Sequence, residues 1–576
     1  MDNRAIADVF DELADLLEFK GENPFRVRAY RNGARAIRDL DEAVAAILED
    51  ADRELADLPG IGKTLAEKSA TLLADGKLPQ LEKLRQEIPP SVLQMVRVPG
   101  LGAKKAAALH EALGIDNLQQ LREACEAQQV RQLKGFGAKT EQTILEGLSI
   151  AEAAAERLRW AEADEIVQAL LTHLRPSEAI ERIEPAGSYR RGKETVGDLD
   201  LLVVASDWDA AMDRLETFPR RTATILRGSE KKTKMSIRVD EAFQVDMRLV
   251  EASQFGAALV YFTGSKAHNI RLRSLAKKQG LKVNEYGVFR DQDDDAGPLA
   301  GASEEELYAL FDLPVIPPEL REDRFEFEWA RQHPPPTLIT LDQIVGDLHM
   351  HTTATDGQAT IREMADGAIA RGLQYIAITD HSRRVSMAGG LTPERLREQW
   401  ETIEEIRPEY EGRLRILKGI ECDILEKGGM DLPDDLLAEA DWVLASIHYG
   451  QRQPRAQITE RMLAAIDHPH VSAIAHPTGR LINRRPAYDI DMEAVFAAAR
   501  DTGTLLELNA NPARLDLHDV HCATAKRMGI PVVINTDAHT IEGLDVMRYG
   551  IVQARRGGLT ADDVANTRPW DQFPLK

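Results

Sequence analysis

The ten residues DLHMHTTATD, 347 to 356, place two histidines one residue apart with a carboxylate close behind. In an extended chain the side chains at i and i+2 leave the same face, so His349 and His351 point together, and Asp356 follows just past them. Imidazole nitrogens converging with carboxylate oxygens are the donors of a transition-metal site. The same residue types recur where later strand-like runs end: Asp380-His381, Glu421, His448, His476 and Asp537-His539. Ten of the 14 histidines follow residue 340, and of these His468, His470, His518 and His521 lack such a motif. A lone histidine is ordinarily structural; this recurrence, with carboxylates in it, predicts a metal cluster.

A second set of acids lies in GDLDLL, 197 to 202. Asp198 and Asp200 share one face of an apolar strand whose other face carries Leu199, Leu201 and Val203. Unpaired charge is costly there, and a divalent cation would compensate it. In FQVDMRLV the apolar Phe243, Val245, Met247 and Leu249 alternate with Gln244, Asp246 and Arg248, so Asp246 supplies a third carboxylate.

Several elements must position these groups. LPGIG (58–62), VPGLG (98–102) and LKGFG (133–137) each precede a helical pattern. Gly60, Gly62, Gly100, Gly102, Gly135 and Gly137 allow tight hairpins, and the free N–H groups of the next helix form an anion site that reads phosphate rather than base. The three repeats resemble helix-hairpin-helix elements, which bind DNA backbones without sequence preference. Residues 151–290 read as a helix followed by alternating strands and helices, and HPPPT (333–337) as an extended linker. From residue 341, seven strand-like runs alternate with helices, which predicts parallel strands closed into a barrel. Their carboxyl ends converge on one rim, where ligands belong.

Composition bounds the rest. A chain of 576 residues has room for about four domains. Hydrophobic residues at 43% and charged residues at 29% describe a soluble protein without a membrane-spanning stretch. MDNRAIADVFDELAD lacks a signal peptide's basic start and apolar core, so a cytoplasmic location is expected. Cys125, Cys422 and Cys522, with no CxxC, read as reduced structural thiols. The net charge of −23 concentrates in residues 1–50, 151–200, 301–350 and 401–450. KKTK (231–234) and KKQGLK therefore remain free to form a local phosphate-facing surface, and the global charge does not exclude DNA.

GSYRRGKETVGDLDLL (187–202) with YFTGSKAHN (261–269) closely resembles the nucleotidyltransferase signature of family X DNA polymerases. The resemblance covers residues 1–290 in that family's order. It implies that Asp198 and Asp200 bridge two Mg²⁺ or Mn²⁺ ions and that Asp246 binds the catalytic one. Two hard cations suit the reaction, one activating the primer hydroxyl and one holding the triphosphate. It further implies that Gly187, Ser188 and Arg191 hold triphosphate oxygens, that Tyr261, Phe262 and Gly264 border the sugar, and that Asn269 touches the base or sugar edge. Lys68 aligns with the family's Schiff-base lysine, beside Arg26, Tyr30 and Lys63.

Residues from 341 onward resemble the PHP domain, a distorted (β/α)7 barrel holding up to three ions. His349, His351, Glu421 and Asp537 would hold one, Glu421, His448 and His476 another, and Asp356, His381 and His539 a third, with Mn²⁺, Zn²⁺ or Fe²⁺ favoured by the mixed donors. The expected fold is thus multidomain: an α-helical helix-hairpin-helix region (1–85 lyase-like, 86–150 fingers), an α+β nucleotidyltransferase palm (151–255) and thumb (256–320), a linker (321–340) and the α/β barrel (341–576). The expected function is gap-filling DNA polymerisation in base excision repair, joined to 3′ to 5′ exonuclease, 3′-end-processing and abasic-site endonuclease activity. Gapped or nicked DNA and dNTPs are the expected partners of a monomer. The alternatives are a phosphoesterase delivered to DNA by a weak polymerase core, and a nonenzymatic DNA-binding scaffold.

Overall fold

A computed structural model describes residues 3–38, 40, 44–50, 53–58, 60–88, 95, 98, 101–154, 157–228, 233–240, 243–291 and 297–575. The chain divides into two units, Met1–Arg157 and Leu158–Lys576. Among the described residues of the first unit there are helices and no strand. Ile6, Phe10, Leu13 and Leu17 repeat at helical spacing along Asn3–Phe19, and all are buried, together with Val27, Tyr30 and Ile37 of the neighbouring helix Pro24–Arg38. Gly60 and Gly62 precede the helix Lys63–Asp75, Gly102 opens Gly102–Leu113, and Gly135 and Gly137 precede Ala138–Ala154. At Gly60 the backbone is left-handed, with φ of +86°, and an added Cβ would lie 3.2 Å from that of Ala36. Gly100 lies outside the described residues, as do Lys231 and Lys232 of the KKTK run.

The second unit opens on the helix Trp160–Leu174 and a five-stranded sheet. Its strands are β1 (Ile180–Pro185), β2 (Asp198–Ala205), β3 (Arg221–Leu226), β4 (Lys234–Val239) and β5 (Phe243–Leu249), in the order β1-β2-β5-β4-β3. Leu199, Leu201 and Val203 pack with Val245 and Met247 on one face. Leu202 and Val204 are covered on the other face by Phe255, Ala258 and Leu259. The start of β2 escapes this double burial, which leaves Asp198 exposed and Asp200 partly so.

The segment read as a linker from 321 to 340 differs from expectation. Arg321 and Glu326 are fully buried, and Leu320, Phe327 and Ala330 share a core with Leu307 and Tyr308. The polyproline signal marks only a short exposed stretch around His333 and Pro334, while the acidic residues before it are partners of buried arginines.

Seven parallel strands form the barrel in chain order: β6 (Gly346–Asp347), β7 (Tyr375–Ile378), β8 (Arg415–Asp423), β9 (Trp442–Ser446), β10 (Ala473–Ile474), β11 (Leu505–Asn509) and β12 (Val532–Asn535). The hydrogen bonds His351 N to Ala538 O (2.8 Å) and Asp537 N to His349 O (2.9 Å) join the first and last strands at the rim. Asn566 joins them lower down: its Nδ2 donates to Gly346 O (2.7 Å) and Ile534 O (2.6 Å), and its Oδ1 accepts from Ile534 N (3.0 Å). Strand alternation sorts each strand. In β8, Ile416, Ile420 and Cys422 join the core beneath the helices, whereas Leu417 joins an apolar plug with Tyr375, Trp442, Leu444 and Val533. Glu421 and Asp423 belong to that second set by their period of two, so carboxylates rise above the plug. All three cysteines are buried and unbonded, and among the described residues no helix is long and apolar enough to cross a membrane.

Candidate active sites

The barrel rim gathers the histidines and carboxylates singled out above. Three groups have ligand atoms all within 4.8 Å of one another: His351, Asp356, His381 and His539; His349, His351 and Glu421; and His381, Glu421 and His448. Asp537 Oδ1 stands 3.2 Å from His351 Nε2 and 3.5 Å from His349 Nε2. His476 Nε2 is 3.0 Å from Glu421 Oε1. The residues are those expected, with two regroupings: His381 sits with Glu421 and His448, and His351 also borders the Asp356 group.

Buried His349 Nε2 and both ring nitrogens of His351 have no well-aligned hydrogen-bond partner, and His381 Nδ1 and Glu421 Oε2, 2.7 Å apart, have only each other. Such buried ligand atoms, converging beneath the more exposed Asp356 and His539, fit divalent cations. The charges agree. Burial opposes ionisation of Glu421, yet His448, His381 and His349 hold its carboxyl well below the ordinary range. Burial likewise opposes the His381 cation, but Glu421 and Asp356 raise it to about 10. Glu421 and His381 thus stabilise each other's charged forms, whereas burial and the neighbouring histidines lower the His351 pKa to about 4.

Residues not singled out in the sequence hold this cluster in place. Glu507, fully buried in β11, accepts from His349 Nδ1 at 2.7 Å, leaving Nε2 to face the ligands. Asp423 accepts from the His448 backbone N–H at 2.9 Å. Asp380, expected only as the partner of His381 in sequence, instead accepts from Thr352 N (2.9 Å) and Oγ1 (2.6 Å) and from Gln399. The signal for Glu507 was a carboxylate inside the apolar GTLLELNA, the same anomaly as in GDLDLL.

In the sheet, the parallel register of β2 and β5 sets Asp200 opposite Asp246 and Asp198 opposite Gln244. Their oxygens are less tightly drawn together than those of the barrel, and cations of the chain lie between them. Arg248 Nε is 3.1 Å from Asp200 Oδ1, and Lys234 Nζ is 2.6 Å from Asp246 Oδ2. Gln244 Nε2 also donates to Asp246. Burial raises the Asp200 pKa against the pull of Arg248, and the other two aspartates add to it. Three acids that need outside positive charge fit divalent cations at this face.

Gly187, with φ of +65°, would place a Cβ 3.5 Å from Asp200 Oδ2, so Gly187 borders the acids, with Ser188 next to it in the chain. Arg191 is engaged elsewhere, its Nε on Glu322 at 3.0 Å and its Nη1 on Thr263 O. Tyr261 is exposed, Phe262 lies under the Arg248 guanidinium at 4.3 Å, and Asn269 Nδ2 donates to Tyr261 O at 2.8 Å. Gly264 is left-handed, with an added Cβ 3.3 Å from Arg191 Nη1.

The sheet and barrel meet through charge. Arg556, 2% exposed, donates to Arg191 O (2.6 Å), Glu322 (3.2 Å) and Asp519 (2.6 Å). Arg480 reaches Glu194 Oε2 at 2.8 Å. Gly192 leaves no room for a side chain, since an added Cβ would fall 2.2 Å from Val552 Cγ1.

In the first unit, Lys68 lines a cavity of about 660 Å³ with Arg26, Tyr30, Thr64 and Glu67. Its Nζ donates to Gln80 Oε1 at 2.9 Å, and burial, then the Arg26 charge, lowers its pKa. Lys63 is exposed and does not line this cavity.

Fold and sites together define a chain with a nucleotidyltransferase sheet and a separate metal-binding (β/α)7 barrel. Family models agree segment by segment: a helix-hairpin-helix domain (1–78), a SAM-like helix-hairpin-helix tandem (92–149), the DNA polymerase beta palm (157–246) and thumb (258–322), and the PHP domain (347–509). DNA polymerase/3′-5′ exonuclease PolX of Bacillus subtilis (strain 168) is 42% identical over 570 residues, 99% of this chain and 98% of that protein. A "Probable phosphatase" of Thermoanaerobacter sp. (strain X514) is 32% identical over 238 residues, 39% of this chain and 91% of its own length. Another, from Caldanaerobacter subterraneus subsp. tengcongensis, is 35% identical over 219 residues, 36% of this chain and 80% of its own. The chain belongs to the bacterial family X DNA polymerases that carry a C-terminal PHP domain.

Proposed function

We propose that this chain extends DNA primers at Asp198, Asp200 and Asp246 and removes 3′-terminal nucleotides at the barrel cluster, so that one protein trims and then fills short gaps during base excision repair. The observation that carries this reading is the coexistence, in one family X chain, of a facing acidic trio and a buried cluster of orphaned ligand atoms. The name of the Bacillus relative joins the same two activities.

Divalent cations, when bound, would lower the pKa of an attacking oxygen and neutralise phosphate charge at both sites. The rest falls to the chain. Asp198 and Asp200 would hold both cations of the sheet and Asp246 one, with Mg²⁺ or Mn²⁺ suited to all-oxygen donors. Until then Lys234 pairs with Asp246 and Arg248 with Asp200. In the barrel, Glu507 fixes the His349 ring and Asp423 the His448 backbone, so that imidazoles and carboxylates are preset for Mn²⁺, Zn²⁺ or Fe²⁺. Helix-hairpin-helix glycines would hold the DNA backbone. Lys68, with its lowered pKa in a cavity beside Arg26 and Tyr30, suits removal of a 5′-deoxyribose phosphate. Abasic-site cleavage, a monomeric state and a cytoplasmic location complete the proposal.

The test is one-nucleotide-gapped DNA with a labelled primer in Mn²⁺. Extension with dNTPs and shortening without them is expected. Asp246→Asn should lose extension by at least about a hundredfold and keep shortening, and a His349/His351 double variant should do the reverse. Loss of both activities in either variant would refute separate sites.

A further inference from the structure

A barrel site that hydrolyses phosphodiesters faces an electrostatic problem: its own ligands Asp537, Glu421 and Asp356 repel an anionic substrate. One cation stands beside them. Arg514 Nε lies 3.4 Å from Asp537 Oδ2, and its side chain is 18% exposed. Its two Nη groups have no partner in the chain among the described residues. A guanidinium engaged through Nε keeps the forked pair of donors that matches two phosphate oxygens.

The loop that carries it is fixed. Asn509 and Asp516 pair across it (2.6 and 3.2 Å), and Asp516 accepts from Thr478 N and Oγ1. Arg480, 5% exposed, donates from Nε to Arg514 O at 2.9 Å and from Nη2 to Leu515 O. Its remaining Nη1 is the group on Glu194. Arg485, donating to Gly479 O at 2.7 Å, stands near enough that the Arg514 charge, after burial, lowers its pKa. Two cations close together, beside an anion-repelling cluster, suit an incoming phosphate.

We propose that Arg514 is a substrate-binding residue of the barrel, its Nη pair gripping the non-bridging oxygens of the phosphodiester at the 3′-terminal nucleotide. The inference rests on reading the barrel as the 3′ to 5′ exonuclease. In that reaction a water oxygen bonds to phosphorus, the bond from phosphorus to the penultimate 3′ oxygen breaks, and that oxygen leaves as a hydroxyl with one proton of the water. Arg514 neither gains nor loses a proton.

The experiment uses the full chain loaded with Mn²⁺, a labelled primer ending in a normal or a methylphosphonate linkage, and the variants Arg514→Ala and Arg514→Lys. Arg514→Ala should shorten the normal primer on the order of a hundredfold more slowly, with manganese content and primer extension unchanged. Added guanidinium should restore part of the rate, Arg514→Lys should lose less, and the preference for the charged linkage should shrink. Full activity in Arg514→Ala overturns the proposal. So does a loss that accompanies lost manganese, or one of equal size on charged and neutral linkages, since each marks a merely structural role. A wild-type protein that never shortens primers overturns the exonuclease reading and this proposal together.

Discussion

A carboxylate in the middle of an apolar strand needs partners, and Glu507 has four: His349 Nδ1, the His476 backbone N–H, and the amides of Asn509 and Asn535. It touches the ligands from behind. Glu507→Gln keeps the shape but removes the charge that orients His349, so manganese affinity in the shortening reaction should fall about 10–100-fold while extension stays intact. An unchanged Mn²⁺ midpoint would contradict this. The ligands themselves were legible because their types recur at strand ends, and the acids of GDLDLL because their spacing defies an apolar strand. Glu507 carried the same signal without a motif, and its partners other than Asn509 lie 28 to 158 residues away, where spacing says nothing. Arg191 shows a different limit: the resemblance implies a triphosphate contact, but nothing local announces Glu322 as its partner.

Among elements, residues 321–340, read as a linker, differ most from that reading, and the end of the preceding thumb segment packs with them. Acidic, proline-containing sequence suggested a linker; folded, it supplies counterions. Glu304 pairs with Arg190 (2.8 Å) and Arg321 (2.7 Å), and Glu322 with Arg191 and Arg556. Burial opposes their ionisation, yet the surrounding cations bring both carboxyls down to about 2 from 4.5. Both groups bind protons more weakly folded than unfolded, so each contributes about 3 kcal/mol that is full above about pH 4.5 and lost as pH falls toward 2. Glu322→Gln should therefore unfold at a lower temperature than wild type near neutral pH, and the gap should narrow between about pH 5 and pH 3. A gap that stays constant across that range would rule out this account. The strands and helices of the barrel were legible from alternation, because each βα unit repeats the same local rule.

At the scale of the molecule, the segmental order could be read from motifs, but not the contacts that fasten sheet to barrel. Arg556 and Arg480 bear no motif, the motif around Gly192 announces no packing against Val552, and partners lie as much as 365 residues apart. The clasp at Asn566 is equally silent in sequence. Its amide serves backbone groups of the first and last strands at once, so Asn566→Ala would leave them buried without partners and cost about 2–4 kcal/mol. Thermal unfolding of the barrel should shift down by several degrees, and an unshifted midpoint would show that the strands close without it.

That clasp also imposes an order in time. Gly346 leaves the ribosome 220 residues before Asn566, the residue that ties it to the end of the barrel. The polymerase sheet, which lies earlier still, has every strand in hand by Leu249. A nascent chain therefore presents every strand of the polymerase sheet before it presents the residue that closes the barrel, although the Arg191 loop of that sheet also waits for Arg556.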